Sequence, residues 1–316
     1  MDKTSLAPPS ITALAALMVA VVVGQGYAAT LVTWMAIAAL AAASLRFVLL
    51  IGELNFAVAA FYGIGAYAAS LATTLWGWPF ALSLLLAAGV AAVFSVVFGF
   101  ITLRTKGPYF LLIGFAFTEV MRIVYTRSPL LGGNSGMVGI FPPEALQGWF
   151  HVFAVAMAAS GVLVLYALER SHLGRVFTAI RDNENVVRSV GIHAHGMKIL
   201  CFGIACAAAG LAGALHAFAN NVISPGDFGF LLSASVLAYL KVGGEDHAVG
   251  PVVGAVLMVL LGSLAQSFGG SEHIFHGAGI VVAVLFMPRG LVGWVSMRVR
   301  PSQRRHARQH TAGESL

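Results

Sequence analysis

Two places in this chain hold residues that could do chemistry. Glu119 and Arg122 stand three apart in an apolar run, so on a helix they share one face. Glu119 lies eleven residues past Pro108, about 16 Å along a helix axis and therefore near the middle of a bilayer. Ionisable groups at that depth are costly and face a bundle interior or a water-filled path. A solute with both charge signs, such as an amino acid, could be matched by the pair in passing. A pair that only neutralises itself within the bundle would leave the same trace in sequence. The second place is residues 169–198, ERSHLGRVFTAIRDNENVVRSVGIHAHGMK, which hold Glu169, Arg170, Arg175, Arg181, Asp182, Glu184, Arg188 and Lys198. Those are eight of the chain's thirty charges (18 basic plus 12 acidic). A polar segment of this size between apolar runs belongs outside the bilayer, in contact with something there. The pattern points to a membrane channel-former driven by a soluble partner.

Other chemistries find no support. No G-x-x-x-x-G-K-[ST] phosphate loop occurs, so if ATP drives the protein, another chain must hydrolyse it with its magnesium. Gly63-Ile64-Gly65 has no strand before it and reads as helix packing or a helix break. His193 with His195, and His273 with His276, lack a carboxylate or cysteine at ligand spacing, so no metal site is expected. Cys201 and Cys206 share an apolar run and read as core residues rather than a disulfide. No Ser/His/Asp or Cys/His arrangement stands out. The chain is read as a non-enzyme that binds no cofactor of its own and no nucleic acid.

The elements that position these residues follow from hydropathy. Hydrophobic residues make up 59% of the 316 and charged residues 9%, against about 25% charged in ordinary soluble domains. Most of the surface must face lipid, which predicts an all-α integral membrane protein. Apolar runs near 11–30, 31–51, 56–75, 80–103, 108–126, 150–168, 199–222, 228–242, 249–267 and 273–288 predict about ten spanning helices. Residues 52–58 could be a broken or re-entrant stretch, and the first run is either a retained helix or a cleaved signal. Ten spans put both termini on one side. With that side cytoplasmic, sixteen of eighteen cations lie inside and only Arg122 and Arg127 near the outer face. Trp76-Gly77-Trp78-Pro79-Phe80 would then be an outer aromatic belt. Residues 1–297 would form one polytopic membrane unit, and 298–316 a basic cytoplasmic tail that reads as disordered. Ala59/Gly63, Ala209/Gly213 and Gly250/Gly254 place small residues four apart, for packing within the chain or against a second copy.

Within the polar segment, Val176, Phe177, Ala179 and Ile180 give one apolar face, which Val186, Val187 and Val190 continue. Asp182 or Asn183 can cap a second helical turn with Glu184 near its positive end, and Gly191 suits a left-handed stop. Two short amphipathic helices would make a knob for a groove on another protein. The alternative is a helix lying on lipid headgroups, against which the acidic Asp182 and Glu184 count.

Gly174-Arg175, Ala179-Ile180-Arg181-Asp182-Asn183-Glu184 and Gly191-Ile192 together resemble the coupling segment of the LivM-type permeases of branched-chain amino acid ABC importers. Gly52-Glu53-Leu54-Asn55-Phe56 with Ala59 through Tyr67, Leu103-Arg104 with Gly107-Pro108-Tyr109-Phe110 and Ala116-Phe117-Thr118-Glu119 are similar to that family too. So are Gly132 through Gly136, Gly243-Gly244 with Gly250 through Ala255, and Pro288-Arg289-Gly290-Leu291, all in the family's order over residues 30–295. The chain differs in carrying Glu245-Asp246-His247 after its glycine pair and Asn55-Phe56-Ala57-Val58 in the early segment. The resemblance implies a multi-pass subunit of the bacterial inner membrane with both termini cytoplasmic. It implies a second homologous permease, two cytoplasmic ATPases and a periplasmic solute-binding protein as partners, and ATP-driven alternating access. It assigns ATPase coupling to Arg175, Ala179, Ile180, Arg181, Asp182, Asn183, Glu184 and Gly191. Asn55, Phe61 and Tyr109 join Glu119 and Arg122 as candidates for the translocation path, with core packing the alternative for Phe61 and Tyr109. The solute could be a branched-chain or related amino acid, urea or a short amide. A self-sufficient secondary transporter is the rival class, and Glu119 with Arg122 would be its only mid-membrane charges.

Overall fold

A computed structural model describes residues 7–267, apart from Val23, Gln25 and Lys106, together with Leu291. The predicted run 273–288, Lys3, His273, His276, Pro288 through Gly290 and the tail 298–316 lie outside the described residues. The helices are α1 (Ala7–Val22), α2 (Tyr27–Val48), α3 (Val58–Thr74), α4 (Phe80–Thr102), α5 (Pro108–Arg127), α6 (Phe150–Arg170), α7 (His172–Ser189), α8 (Ala194–Asn220), α9 (Phe230–Gly243) and α10 (Gly250–Ser267). The described residues are all-α apart from one antiparallel ladder, β1 (Met137–Val138) with β2 (Val222–Ile223), which pairs Met137 with Ile223.

Among the described residues, five helices are long and apolar enough to cross a bilayer: α2 with its 3-10 extension to Ile51, α4, α5, α6 and α8. Stretches within α1, α3, α9 and α10 are apolar but shorter. Helix α7 is the exception in composition, and it lies across one end of the bundle against α6 and α8. The expected boundary between the first two runs, at 30/31, falls earlier. The chain leaves helix after Val22 and resumes at Tyr27, with Gly26 at φ 130 beside the new helix start, a conformation that side-chain-bearing residues avoid.

Helix α8 forms the centre, packed on α2, α3 and α4. Its approach to α3 is backbone to backbone. A Cβ at Gly65 would collide with the Gly210 carbonyl, and one at Gly213 with the Tyr62 carbonyl. Small residues allow this contact where lipid offers no hydrophobic drive for helices to associate. Gly254 meets the Tyr239 carbonyl in the same way, so these glycines serve packing within the chain. Around the crossing, Phe61, Phe98, Phe110, Phe117 and Phe202 pack their rings in edge-on and tilted pairs. At the opposite end of the bundle from α7, the turn between α3 and α4 leaves Trp76 and Trp78 exposed, ring centroids 5.5 Å apart.

Two non-helical stretches enter the bundle from opposite ends. After Ile51, Gly52 turns left-handed at φ 80 and the chain runs unwound through Glu53–Ala57 before α3 begins. After Asn220, β2 and a 3-10 turn (Pro225–Phe228) lead inward to the start of α9. Unwound backbone at such depth must find partners inside the protein. The Phe56 carbonyl accepts from Ser233 Oγ at 2.8 Å and Thr118 Oγ1 at 3.3 Å, and Ala59 N–H donates to Ser233 Oγ. The break expected at 52–58 is therefore real, and α3 and α9 both start at the same mid-bundle layer.

Candidate functional site

That mid-bundle layer contains Glu119 and Arg122. Glu119 Oε2 accepts from Arg122 Nε at 2.7 Å, while Oε1 accepts the N–H of Phe230, the first residue of α9. The carboxylate thus answers both a guanidinium and a helix N-terminus. The pair is not enclosed: its side chains are 28% and 43% exposed. On the same side of α5, Tyr109, Leu112 and Phe115 are exposed as well, whereas Phe110, Gly114, Thr118 and Tyr125 face inward. This side of α5 combines apolar residues with one ion pair. An ion pair facing hydrocarbon is costly, so this surface is suited to water or to another chain.

Of the remaining path candidates, Asn55 and Phe61 fall elsewhere. Asn55 is buried, with Oδ1 accepting the Ala57 N–H at 3.0 Å, so it shapes the unwound stretch. Phe61 is fully buried in the ring cluster. Tyr109 is exposed at the start of α5, ten residues before Glu119. Above the pair, Phe228 is fully buried among Tyr62, Tyr67, Tyr125 and His216. It anchors the inward segment beside Arg122, whose Cδ borders Gly229.

Helix α7 is built in two pieces, as its capping residues dictate. Ser171 accepts the Leu173 N–H at 3.2 Å and starts the first. Asn183 leaves helical geometry (φ −159, ψ 99), and its Oδ1 accepts the N–H groups of Asn185 and Val186 to start the second. Phe177, Ile180 and Val187 are buried, with the Phe177 ring edge-on to Phe47 at 5.9 Å. Arg175, Ala179, Arg181, Asp182, Asn183 and Gly191 are exposed, as are Val186 and Val190. Of the eight expected coupling residues, six therefore face outward. Ile180 joins the core, and Glu184 turns inward to bind Lys198 Nζ at 2.9 Å and Arg188 Nη2 at 2.6 Å. Lys198 is 3% exposed, a buried charge that Glu184 neutralises.

One residue that the sequence did not single out holds this end together. Arg46 of α2 is 8% exposed. It donates from both terminal nitrogens to Glu169, at 2.6 and 2.8 Å, and from Nε to the Glu245 carbonyl at 3.1 Å. It thereby ties the end of α6 and the turn before α10 to α2. Six residues on, Gly52 lies under Arg181, where a Cβ would come within 3.0 Å of the Arg181 Cγ. Helix α7 thus touches Phe47 of α2 and Gly52 just beyond it, immediately before the unwound stretch that runs to the Glu119 layer. Among the described residues no group of three metal-ligating side chains occurs.

The family model described as branched-chain amino acid transport system / permease component matches residues 27–287. The high-affinity branched-chain amino acid transport system permease protein LivM of Salmonella typhimurium (strain LT2) is 29% identical over 262 residues, covering 73% of this chain and 62% of that protein. The chain therefore spans less than two thirds of that relative's length. The corresponding BraD protein of Pseudomonas aeruginosa is 26% identical over 277 residues, covering 77% and 87%. The ribose import permease protein RbsC of Escherichia coli K12 is 26% identical over 179 residues, covering 52% and 54%. No solved structure matches.

Proposed function

The chain belongs to the branched-chain amino acid transport permease family, and from this premise we propose that it is the membrane subunit of an ATP-driven importer for branched-chain or related amino acids. It is a non-catalytic, multi-pass subunit of the bacterial inner membrane, and ATP and magnesium are used by partner chains. The partners are a second homologous permease, two cytoplasmic ATPases and a periplasmic solute-binding protein. Helix α7 lies in the cytoplasm, because Arg46, Arg104, Arg170, Arg175, Arg181, Arg188, Lys198 and Lys241 gather at that end of the bundle, while Arg122 and Arg127 lie toward the other.

The observation that carries the reading is the seating of α7. A charged helix anchored by Phe177, Ile180 and Val187 presents Arg175, Ala179, Arg181, Asp182, Val186 and Val190 outward. Closure of the ATPases would move α7, and Phe47 and Gly52 would pass that movement to the unwound stretch and the layer at Glu119. The face of α5 that bears Glu119 and Arg122 would line the path opposite the second permease. A pair of opposite charges favours a zwitterion over a sugar, although the chain is also similar to a ribose permease.

The test is co-purification of an ATPase with the membrane-extracted chain. Arg181→Ala/Asp182→Ala and Val186→Asp should each lose the ATPase while leaving the folded subunit in the membrane. Retention of the ATPase by both variants would remove α7 as the docking element. Solute uptake by the chain without any ATPase would favour a secondary transporter.

A further inference from the structure

A second polar feature lies beside α7 and has no part in transport as described. Between the end of α4, α7 and the start of α8 is a cavity of about 440 Å³ lined by Leu103, Arg104, Glu184, Asn185, Arg188 and His195. Its one carboxylate is already engaged, since Glu184 binds both Arg188 and Lys198. Arg104 has no acidic partner among the described residues. Its guanidinium carbon stands 5.0 Å from the centroid of the Phe100 ring, a stacking that fixes the charge without neutralising it. The His195 ring lies 5.8 Å from the same Phe100. Its Nε2 is buried and has no hydrogen-bond partner among the described residues, which is costly for a polar atom unless a ligand supplies one.

Apolar surface continues from this cavity. Val97, Phe100 and Ile101, on the last turns of α4, are 62%, 52% and 65% exposed. A cationic hollow with an orphaned ring nitrogen thus sits at the foot of a bare apolar helix face, at the bundle end where the cations gather. We propose that this cavity binds the phosphodiester headgroup of an anionic phospholipid, whose acyl chain lies along α4. The phosphate would take donors from Arg104, Arg188 and His195. The uncompensated Arg104 disfavours a headgroup that carries its own ammonium, and the α4 face would contribute nothing to a free phosphate.

The full chain can be extracted from vesicles containing phosphatidylglycerol and phosphatidylcholine of matched acyl chains, and its retained lipids counted by native mass spectrometry. Phosphatidylglycerol should be retained in preference. Arg104→Gln should weaken retention about fivefold, the effect of one interfacial cation, and Arg104→Lys should largely restore it. His195→Phe removes the ring nitrogen and should weaken retention in a chain whose thermal unfolding matches the unmodified one. Equal retention of both lipids would overturn the assignment, as would retention indifferent to Arg104→Gln and His195→Phe. Occupation by inorganic phosphate in lipid-free detergent, at the same dependence on Arg104, would make this a free-anion site and overturn the lipid. None of these readouts depends on an ATPase or on transport.

Discussion

At the scale of residues, the charges inside the bundle are few and each has an identifiable task. Glu119 is held by Arg122 and by the first N–H of α9, yet remains partly exposed on α5. A carboxylate arranged in this way can exchange one cationic partner for another as a solute passes. A hydrogen bond to a charged group is worth about 1.5–3 kcal/mol, so Glu119→Gln should slow uptake roughly tenfold or more. Assembly with the ATPase should survive, because α7 is untouched. Radiolabelled leucine uptake into proteoliposomes, read beside co-purification, separates the two effects. Unchanged uptake in Glu119→Gln/Arg122→Gln would reduce the pair to structure. This site was legible in sequence because two charges interrupt an otherwise apolar run. Phe61 shows the limit of that reading. Its family-like setting made it a path candidate, but only three-dimensional packing reveals that it is enclosed by Phe98, Phe117 and Phe202.

At the scale of elements, hydropathy located the helices and capping chemistry located the bend in α7. Asn183 was one of two expected caps, and its side chain does start the second piece. What stayed hidden were the ties between distant elements. Arg46 and Glu169 are 123 residues apart, and nothing local marks them as partners. Their bond, with the one to the Glu245 carbonyl, makes α2, the end of α6 and the α9–α10 turn a single body at the foot of α7. Arg46→Ala would strand a mostly buried Glu169 carboxylate (side chain 21% exposed). Breaking one side of such a pair costs about 3 kcal/mol, and thermal unfolding of the extracted chain should fall accordingly. Arg46→Lys retains the charge but not the two-pronged geometry and should recover only part of the loss. Thermal stability equal to the unmodified chain in Arg46→Ala would show that the three elements hold together without it. The inward segment 222–229 was illegible for a related reason. Val222 and Phe228 read as the edges of two apolar helices, and only the pairing of Val222 and Ile223 with β1 and the rings around Phe228 reveal unwound chain inside the bundle.

At the scale of the whole molecule, the two unwound stretches give the fold its directional character. One descends from the end that bears α7 and the other from the opposite end, and Ser233 of α9, into which the second leads, donates to the Phe56 carbonyl of the first. On the proposed mechanism, a movement imposed at either end reaches the same layer, where Glu119 sits. This construction makes sense only if the two ends face different compartments, which site-directed labelling can examine. Cys201 and Cys206 are buried, so a membrane-impermeant maleimide should report on introduced cysteines alone. Asn134→Cys, in the loop between α5 and α6, should label in intact cells. Asn185→Cys, exposed on α7, should label only after permeabilisation. The reverse pattern would turn the protein over and place α7 away from any cytoplasmic ATPase. Labelling of both from one side would break the bundle's vectorial design, because the stretches at Gly52 and Pro225 would then open to the same solution.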